Sequence, residues 1–114
     1  MSSSLTTHVL DTAQGRPAVG IPAVLEVEER PGVYRKIGAG RTNEDGRIKD
    51  LLAPGALKPG SYRLTFAVAA YFQALGQKAF YKSIPIEFEV AAVESHYHVP
   101  LLLSPFGYAT YRGS

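Results

Sequence analysis

Apolar and polar residues alternate with a period of two through most of this chain, a pattern that confines it to β-strands with one face buried. Ile21, Ala23, Leu25 and Val27 alternate with Pro22, Val24, Glu26 and Glu28. Tyr62, Leu64, Phe66 and Val68 form a second apolar face. Ile84, Ile86, Phe88 and Val90, opposed by Pro85, Glu87 and Glu89, form a third. Tyr97, Val99, Leu101 and Leu103, opposed by His96, His98, Pro100 and Leu102, form a fourth. Leu5 to Leu10, Val33 to Thr42 and Tyr108 to Arg112 bring the total to about seven or eight strands. Pro85 has no N–H to give a ladder, so its strand is expected at a sheet edge or a bulge. Gln14-Gly15-Arg16-Pro17, Arg30-Pro31-Gly32, Asn43-Glu44-Asp45-Gly46 and the stretch from Pro54-Gly55 to Pro59-Gly60 carry turn chemistry between the runs. Short strands punctuated in this way predict an all-β, two-sheet sandwich. The one helical candidate is Ala69 to Gln77, where Ala69, Phe72 and Leu75 share a face and Gly76 can end the turn.

A chain of 114 residues makes one domain, spanning 1–114, with a core sufficient to fold without metal or disulfide. With 46% hydrophobic and 19% charged residues it lacks the composition of disorder, so flexibility is expected only at residues 1–4. The net charge of +2 comes from 12 basic and 10 acidic residues scattered along the chain, which leaves no basic track for nucleic acid. The absence of cysteine excludes thiol catalysis and thiolate metal sites. No apolar run reaches membrane-spanning length and no basic, then apolar, leader opens the chain. The expected location is cytoplasmic, or periplasmic if a leader has been removed.

The three histidines all fall in expected strands. His96 and His98 are two residues apart, so both imidazoles leave the same face of one strand, about 7 Å apart at the backbone. A single strand histidine is ordinarily a half-buried polar group bonded to a neighbour. A pair on one face, with His8 on a second strand beside Thr6 and Leu10, suits proton transfer near neutral pH. His-x-His with a third histidine could also hold zinc, but no nearby Asp, Glu or Cys completes a ligand set. Arg47 follows the Asp45-Gly46 turn and starts a strand, where an arginine is usually a solvated charge. In company with histidines, its planar guanidinium could polarise a carbonyl or bind a carboxylate or a urate-like ring edge in two-point fashion. Tyr111 and Ser114 add hydrogen-bonding groups at the carboxyl terminus. With no Gly-x-Ser-x-Gly elbow, phosphate loop or HExxH helix, water activated by histidine is the expected nucleophile.

Thr7-His8-Val9-Leu10-Asp11-Thr12-Ala13, Asp45-Gly46-Arg47, His96-Tyr97-His98-Val99-Pro100-Leu101-Leu102-Leu103-Ser104-Pro105 and Tyr111-Arg112-Gly113-Ser114 together resemble the 5-hydroxyisourate hydrolases, the transthyretin-related proteins of purine catabolism. The resemblance runs from about Leu5 to Ser114. It implies a transthyretin-like (prealbumin-like) sandwich of about eight strands with one short helix. It also implies a homotetramer, a dimer of dimers with its active sites in the central channel. The implied reaction is hydrolysis of a cyclic amide, opening 5-hydroxyisourate to 2-oxo-4-hydroxy-4-carboxy-5-ureidoimidazoline in urate degradation without a cofactor or metal. Carried over by position, His8, Arg47, His98 and Ser114 are the implied catalytic residues, and His8, Arg47 and Tyr111 the implied substrate-binding ones. His98 and His8 would share the proton handling, and His96 is given no direct role. The alternative is a transthyretin-like carrier of a small hydrophobic ligand such as thyroid hormone. The carriers lack the two histidines and the arginine at these positions and do not end in Tyr-Arg-Gly-Ser.

Overall fold

The computed structural model describes residues 4–91 and 96–113. The described residues form nine strands and one short helix, in the order β1 (Leu5–Asp11), β2 (Arg16–Pro17), β3 (Pro22–Arg30), β4 (Val33–Arg41), β5 (Arg47–Ile48), β6 (Gly60–Ala67), α1 (Ala69–Ala74), β7 (Ser83–Val90), β8 (Tyr97–Ser104) and β9 (Gly107–Thr110). Two of these strands, β2 and β5, are only two residues long. They arise because the turns after β1 and before Lys49 fold back onto β1, and a pair so short carries no periodicity to read in the sequence. Residues 1–3, within the segment expected to be flexible, lie outside the described residues. The Ser4 carbonyl accepts the Tyr97 N–H at 2.8 Å.

The strands form two sheets. One runs β4-β3-β6-β7 and is antiparallel throughout. The other runs β2-β1-β8-β9, with β5 also paired to β1. β1 and β8 are parallel, in unbroken register from Leu5↔Tyr97 to Asp11↔Leu103. This pairing joins the two ends of the chain, and strand alternation alone does not specify it. β7 is an edge strand, as Pro85 requires.

The inward-facing residues of both sheets meet in one core. Leu5 and Val9 of β1, Leu101 and Leu103 of β8, Ala23 and Leu25 of β3, Leu64 and Phe66 of β6, and Ile84 of β7 are all buried. They fall on the faces that the alternation predicts. Removing the Phe66 ring from such an interior would cost about 3–5 kcal/mol. α1 closes one end of the sandwich with Phe72 buried beneath it. The helix stops at Ala74, three residues short of the expected Gln77, because the Leu75 and Gly76 N–H groups turn back to the Phe72 and Gln73 carbonyls.

Asp11 ends β1 fully buried, and every polar contact it makes organises the chain around it. Its Oδ1 accepts the N–H groups of Ala13 and Gln14 at 3.0 Å each, which shapes the turn into β2. Its Oδ2 accepts the Tyr71 hydroxyl of α1 at 2.8 Å. Burial first, and then the hydrogen bond to this carboxylate, push the Tyr71 phenol up to about 12. The raised value means that the folded state prefers the protonated phenol. Its contribution is complete below pH about 10 and fades as pH rises towards 12. Tyr71→Phe should destabilise the fold by about 1–3 kcal/mol, because a buried carboxylate loses one donor. A fall in thermal midpoint measured by circular dichroism checks this, and an unchanged midpoint would contradict it.

Candidate active site on the outer face of the β1–β8 sheet

The residues not used by the core define the second face of the same strands. In β1 the buried residues are Leu5, Thr7, Val9 and Asp11, which turns Thr6, His8 and Leu10 outward. In β8 the outward set includes His98 and Leu102. Register then fixes the neighbours: His8 is paired with Arg47 of β5 on one side and with Pro100 of β8 on the other, and Thr6 is paired with His98. The β8–β9 register continues past β9 to an isolated bridge between His98 and Gly113. Tyr111 accordingly falls opposite Pro100, on the His98 face. Four of the expected site residues, His8, Arg47, His98 and Tyr111, therefore share one sheet face. Ser114 lies outside the described residues.

Local chemistry explains how each side chain is presented. Asn43 Oδ1 accepts the N–H groups of Asp45 at 2.9 Å and Arg47 at 3.0 Å, so a single amide shapes the turn before β5. Gly46 within it has φ of +76°, and a Cβ there would lie 2.5 Å from the Val9 carbonyl oxygen. Only glycine lets this turn lie against β1, where the Gly46 carbonyl accepts the Val9 N–H at 2.7 Å. Arg47 is thereby delivered beside His8. Among the described residues Arg47 makes no ion pair, whereas Arg63 on the opposite sheet is tied to Glu26 at 2.8 Å.

The carboxyl-terminal segment is built against His98. The Gly113 N–H donates to the His98 carbonyl at 2.8 Å. A Cβ on Gly113 would sit 2.6 Å from His98 Cδ2, so the backbone here lies directly on the imidazole. Arg112 stacks its guanidinium over the Tyr97 ring, 4.5 Å from the centroid. Tyr111 is 57% exposed, which leaves its ring free to meet a ligand.

Thr6 was noted in the sequence only as sharing the face of His8, yet its hydroxyl touches two imidazoles. Oγ1 lies 2.8 Å from His98 Nδ1 and 3.0 Å from His96 Nε2. His96 lies one residue before β8, outside the strand expected for it, and the shared contact with Thr6 puts its imidazole on the same side as His98, as their spacing predicts. The role of Thr6 follows from the parallel β1–β8 register, which no local pattern in the sequence announces. Among the described residues, no cluster of three or more His, Asp or Glu gathers as a metal ion would require.

Electrostatics favours the neutral form of both site imidazoles. Burial first, then the Arg47 guanidinium, lower His8 below its ordinary 6.5, while a hydrogen bond to the Asp45 backbone and the Asp45 carboxylate pull upward. Burial first, then Arg47, His8 and His96, lower His98, with a hydrogen bond to the Thr6 backbone opposing. Both rings therefore carry a free lone pair at neutral pH. The unfolded chain binds these protons more readily, so their contribution to stability is complete above pH about 6.5 and falls as the solution is acidified.

Arg47→Gln should raise the titration midpoints of both His8 and His98, because it removes a cation that opposes their protonation. Imidazole NMR titration reads the shift, and unmoved midpoints would refute the coupling. Gly113→Ala should displace the His98 ring while leaving the thermal midpoint within a few degrees. A wild-type His98 spectrum in that variant would contradict the contact.

A family model described as HIUase/Transthyretin family matches residues 5–113. The 5-hydroxyisourate hydrolase of Salmonella typhi is 44% identical, covering 99% of this chain and 82% of the relative. Among solved structures, Klebsiella pneumoniae 5-hydroxyisourate hydrolase superposes with a TM-score of 0.84 at 34% identity, covering 96% of this chain and 98% of the other. Sea bream transthyretin in complex with thyroxine superposes with a TM-score of 0.89 at 30% identity, covering 96% and 94%. A match over nearly the whole chain, on a sandwich of the same architecture, establishes that the chain belongs to the HIUase/Transthyretin family.

Proposed function

We propose that this protein hydrolyses 5-hydroxyisourate to 2-oxo-4-hydroxy-4-carboxy-5-ureidoimidazoline, with the chemistry on the outer face of the β1–β8 sheet. The observation that carries the reading is the placement of His8, Arg47 and His98 side by side on one face by strand register. The names of the relatives agree with it. The likeness to a thyroxine-binding transthyretin rests on the fold, which does not by itself decide function. A guanidinium that makes no ion pair among the described residues, set beside an imidazole, suits a polar, carbonyl-rich ring better than an apolar hormone.

In this mechanism a water molecule lies between the two neutral imidazoles, directing its protons to their lone pairs and its oxygen to the substrate carbonyl. The hydrogen bond to the Asp45 backbone uses one ring nitrogen of His8 and leaves the other to accept from the water. His98 acts as the base: burial first, then Arg47, His8 and His96, keep it neutral. As the oxygen–carbon bond forms, His98 takes the water proton. The ring C–N bond then breaks, and the same proton passes to the departing nitrogen, so hydroxyl and hydrogen are both accounted for. Arg47 holds the oxyanion that develops at the attacked carbonyl. Tyr111 and Ser114 help to hold the substrate and complete the hydrogen-bond network.

The face is an open sheet surface, and one sheet face cannot enclose a small ring. A homotetramer, as a dimer of dimers, would supply the missing wall by setting two such faces against each other. Further support lies at the sheet edges. β7 and β9 flank a cleft of about 350 Å³ lined by Ile86, Phe88, Val99 and Tyr111, and unpaired strand edges of this kind are templates for a second copy. No helix of the described residues is long and apolar enough to cross a membrane. We place the reaction in the cytoplasm, or in the periplasm if a leader has been removed.

The test is the ultraviolet absorbance of freshly generated 5-hydroxyisourate with and without the purified chain. Accelerated decay is expected, and decay at the spontaneous rate would overturn the assignment. His98→Ala and Arg47→Ala should each lower activity a hundredfold or more, about 3 kcal/mol in transition-state stabilisation, while the protein remains folded and tetrameric by light scattering. Undiminished turnover in both would remove these residues from the site.

A further inference from the structure

Thr6 has no part in the mechanism above and His96 enters it only through its effect on the proton affinity of His98, yet the Thr6 hydroxyl meets both imidazoles on the proposed catalytic face. That single hydroxyl lies within hydrogen-bond distance of His98 Nδ1 and His96 Nε2. A hydroxyl has one proton to give, so it donates to one imidazole and accepts from the other. The tautomers of the two rings are thereby tied together. If Thr6 donates to His98, the proton of that ring sits on Nε2 and the ring has no lone pair there. If Thr6 accepts from His98 Nδ1–H, it donates to His96 Nε2, and His98 Nε2 presents a lone pair.

The surroundings favour the second arrangement. Nδ1 is the ring nitrogen turned toward Thr6, 2.8 Å from its hydroxyl, and the Thr6 backbone carbonyl, which only accepts, adds to the preference for a proton on that side of the ring. His96 is exposed and free to adopt the complementary tautomer.

We propose that Thr6, backed by His96, is a positioning residue that locks His98 in the Nδ1–H tautomer and so makes its Nε2 the base for hydrolysis. The proposal rests on the hydrolase reading for its catalytic consequence, but the tautomer itself does not. When Nε2 takes the water proton, the Nδ1–H bond to Thr6 supports the imidazolium that results. A carboxylate plays that part for the histidine of serine-protease triads. Here a hydroxyl does so without adding negative charge, which preserves the low proton affinity that the neighbours impose. Burial contributes most to that low affinity, followed by Arg47 of β5, His8 of β1 and His96; of the side chains lining the adjoining cleft, Arg112 carries the same sign of charge as Arg47, and the Glu87 and Glu89 carboxylates the opposite sign.

Two measurements decide it. Nitrogen-15 NMR of the wild-type imidazoles at neutral pH should show His98 with a protonated Nδ1 and an unprotonated Nε2. The opposite tautomer would overturn the proposal whatever the enzyme hydrolyses. In kinetics on 5-hydroxyisourate, Thr6→Val should lower kcat tenfold or more with KM within about twofold. Its His98 should show a detectable fraction of the Nε2–H tautomer, because only the backbone preference remains, while Thr6→Ser restores both kcat and the single tautomer. Thr6→Val with wild-type kcat, or Thr6→Ser as impaired as Thr6→Val, would overturn the positioning role. Absence of ring-opening by the wild-type protein would instead refute the hydrolase reading and leave the tautomer to the NMR result.

Discussion

The parallel pairing of β1 with β8 is the constraint on which the rest of the molecule depends. Seven consecutive residue pairs, from Leu5↔Tyr97 to Asp11↔Leu103, hold two distant segments in a single register. Side chains alternate across a strand, so this register sorts each strand into a core set and a surface set. Leu5, Val9, Leu101 and Leu103 go inward, and Thr6, His8 and His98 go outward. A slip of one residue would exchange the two sets, burying imidazoles and exposing leucines. Fold stability and the candidate chemistry are thus specified by the same ladder.

The outward set also shows how little machinery a site of this kind requires. Each functional side chain is held by backbone geometry from elsewhere. The Asn43 amide and Gly46 bring in Arg47, the Asp45 backbone orients His8, and Gly113 lies on His98. The arginine does double duty. In the proposed mechanism it meets the developing oxyanion, and it also lowers the proton affinity of both imidazoles, so that they are free to accept a proton at neutral pH.

Much of this was legible in the sequence. Period-two alternation located the long strands, Pro85 an edge, and the His96, His98 spacing a shared face. The Tyr-Arg-Gly-Ser motif gave the family resemblance, and its Gly113 finds a physical reason in the absence of space for a Cβ over His98. Other features were hidden because they arise from long-range pairing. The two-residue strands β2 and β5 leave no pattern. Thr6 is an ordinary strand threonine until β8 sets two histidines beside it, and Asp11 is an ordinary acid until Tyr71 arrives from α1.

The proposed hydrolysis needs a neutral imidazole as base on this face, and the pH dependence of kcat/KM for 5-hydroxyisourate reports its protonation state. We expect a plateau at and above neutral pH and a fall through a single acid limb whose midpoint lies below 6.5, in agreement with the His98 titration. A rate independent of pH through that range, or one that rises on acidification, would exclude a neutral imidazole as the base.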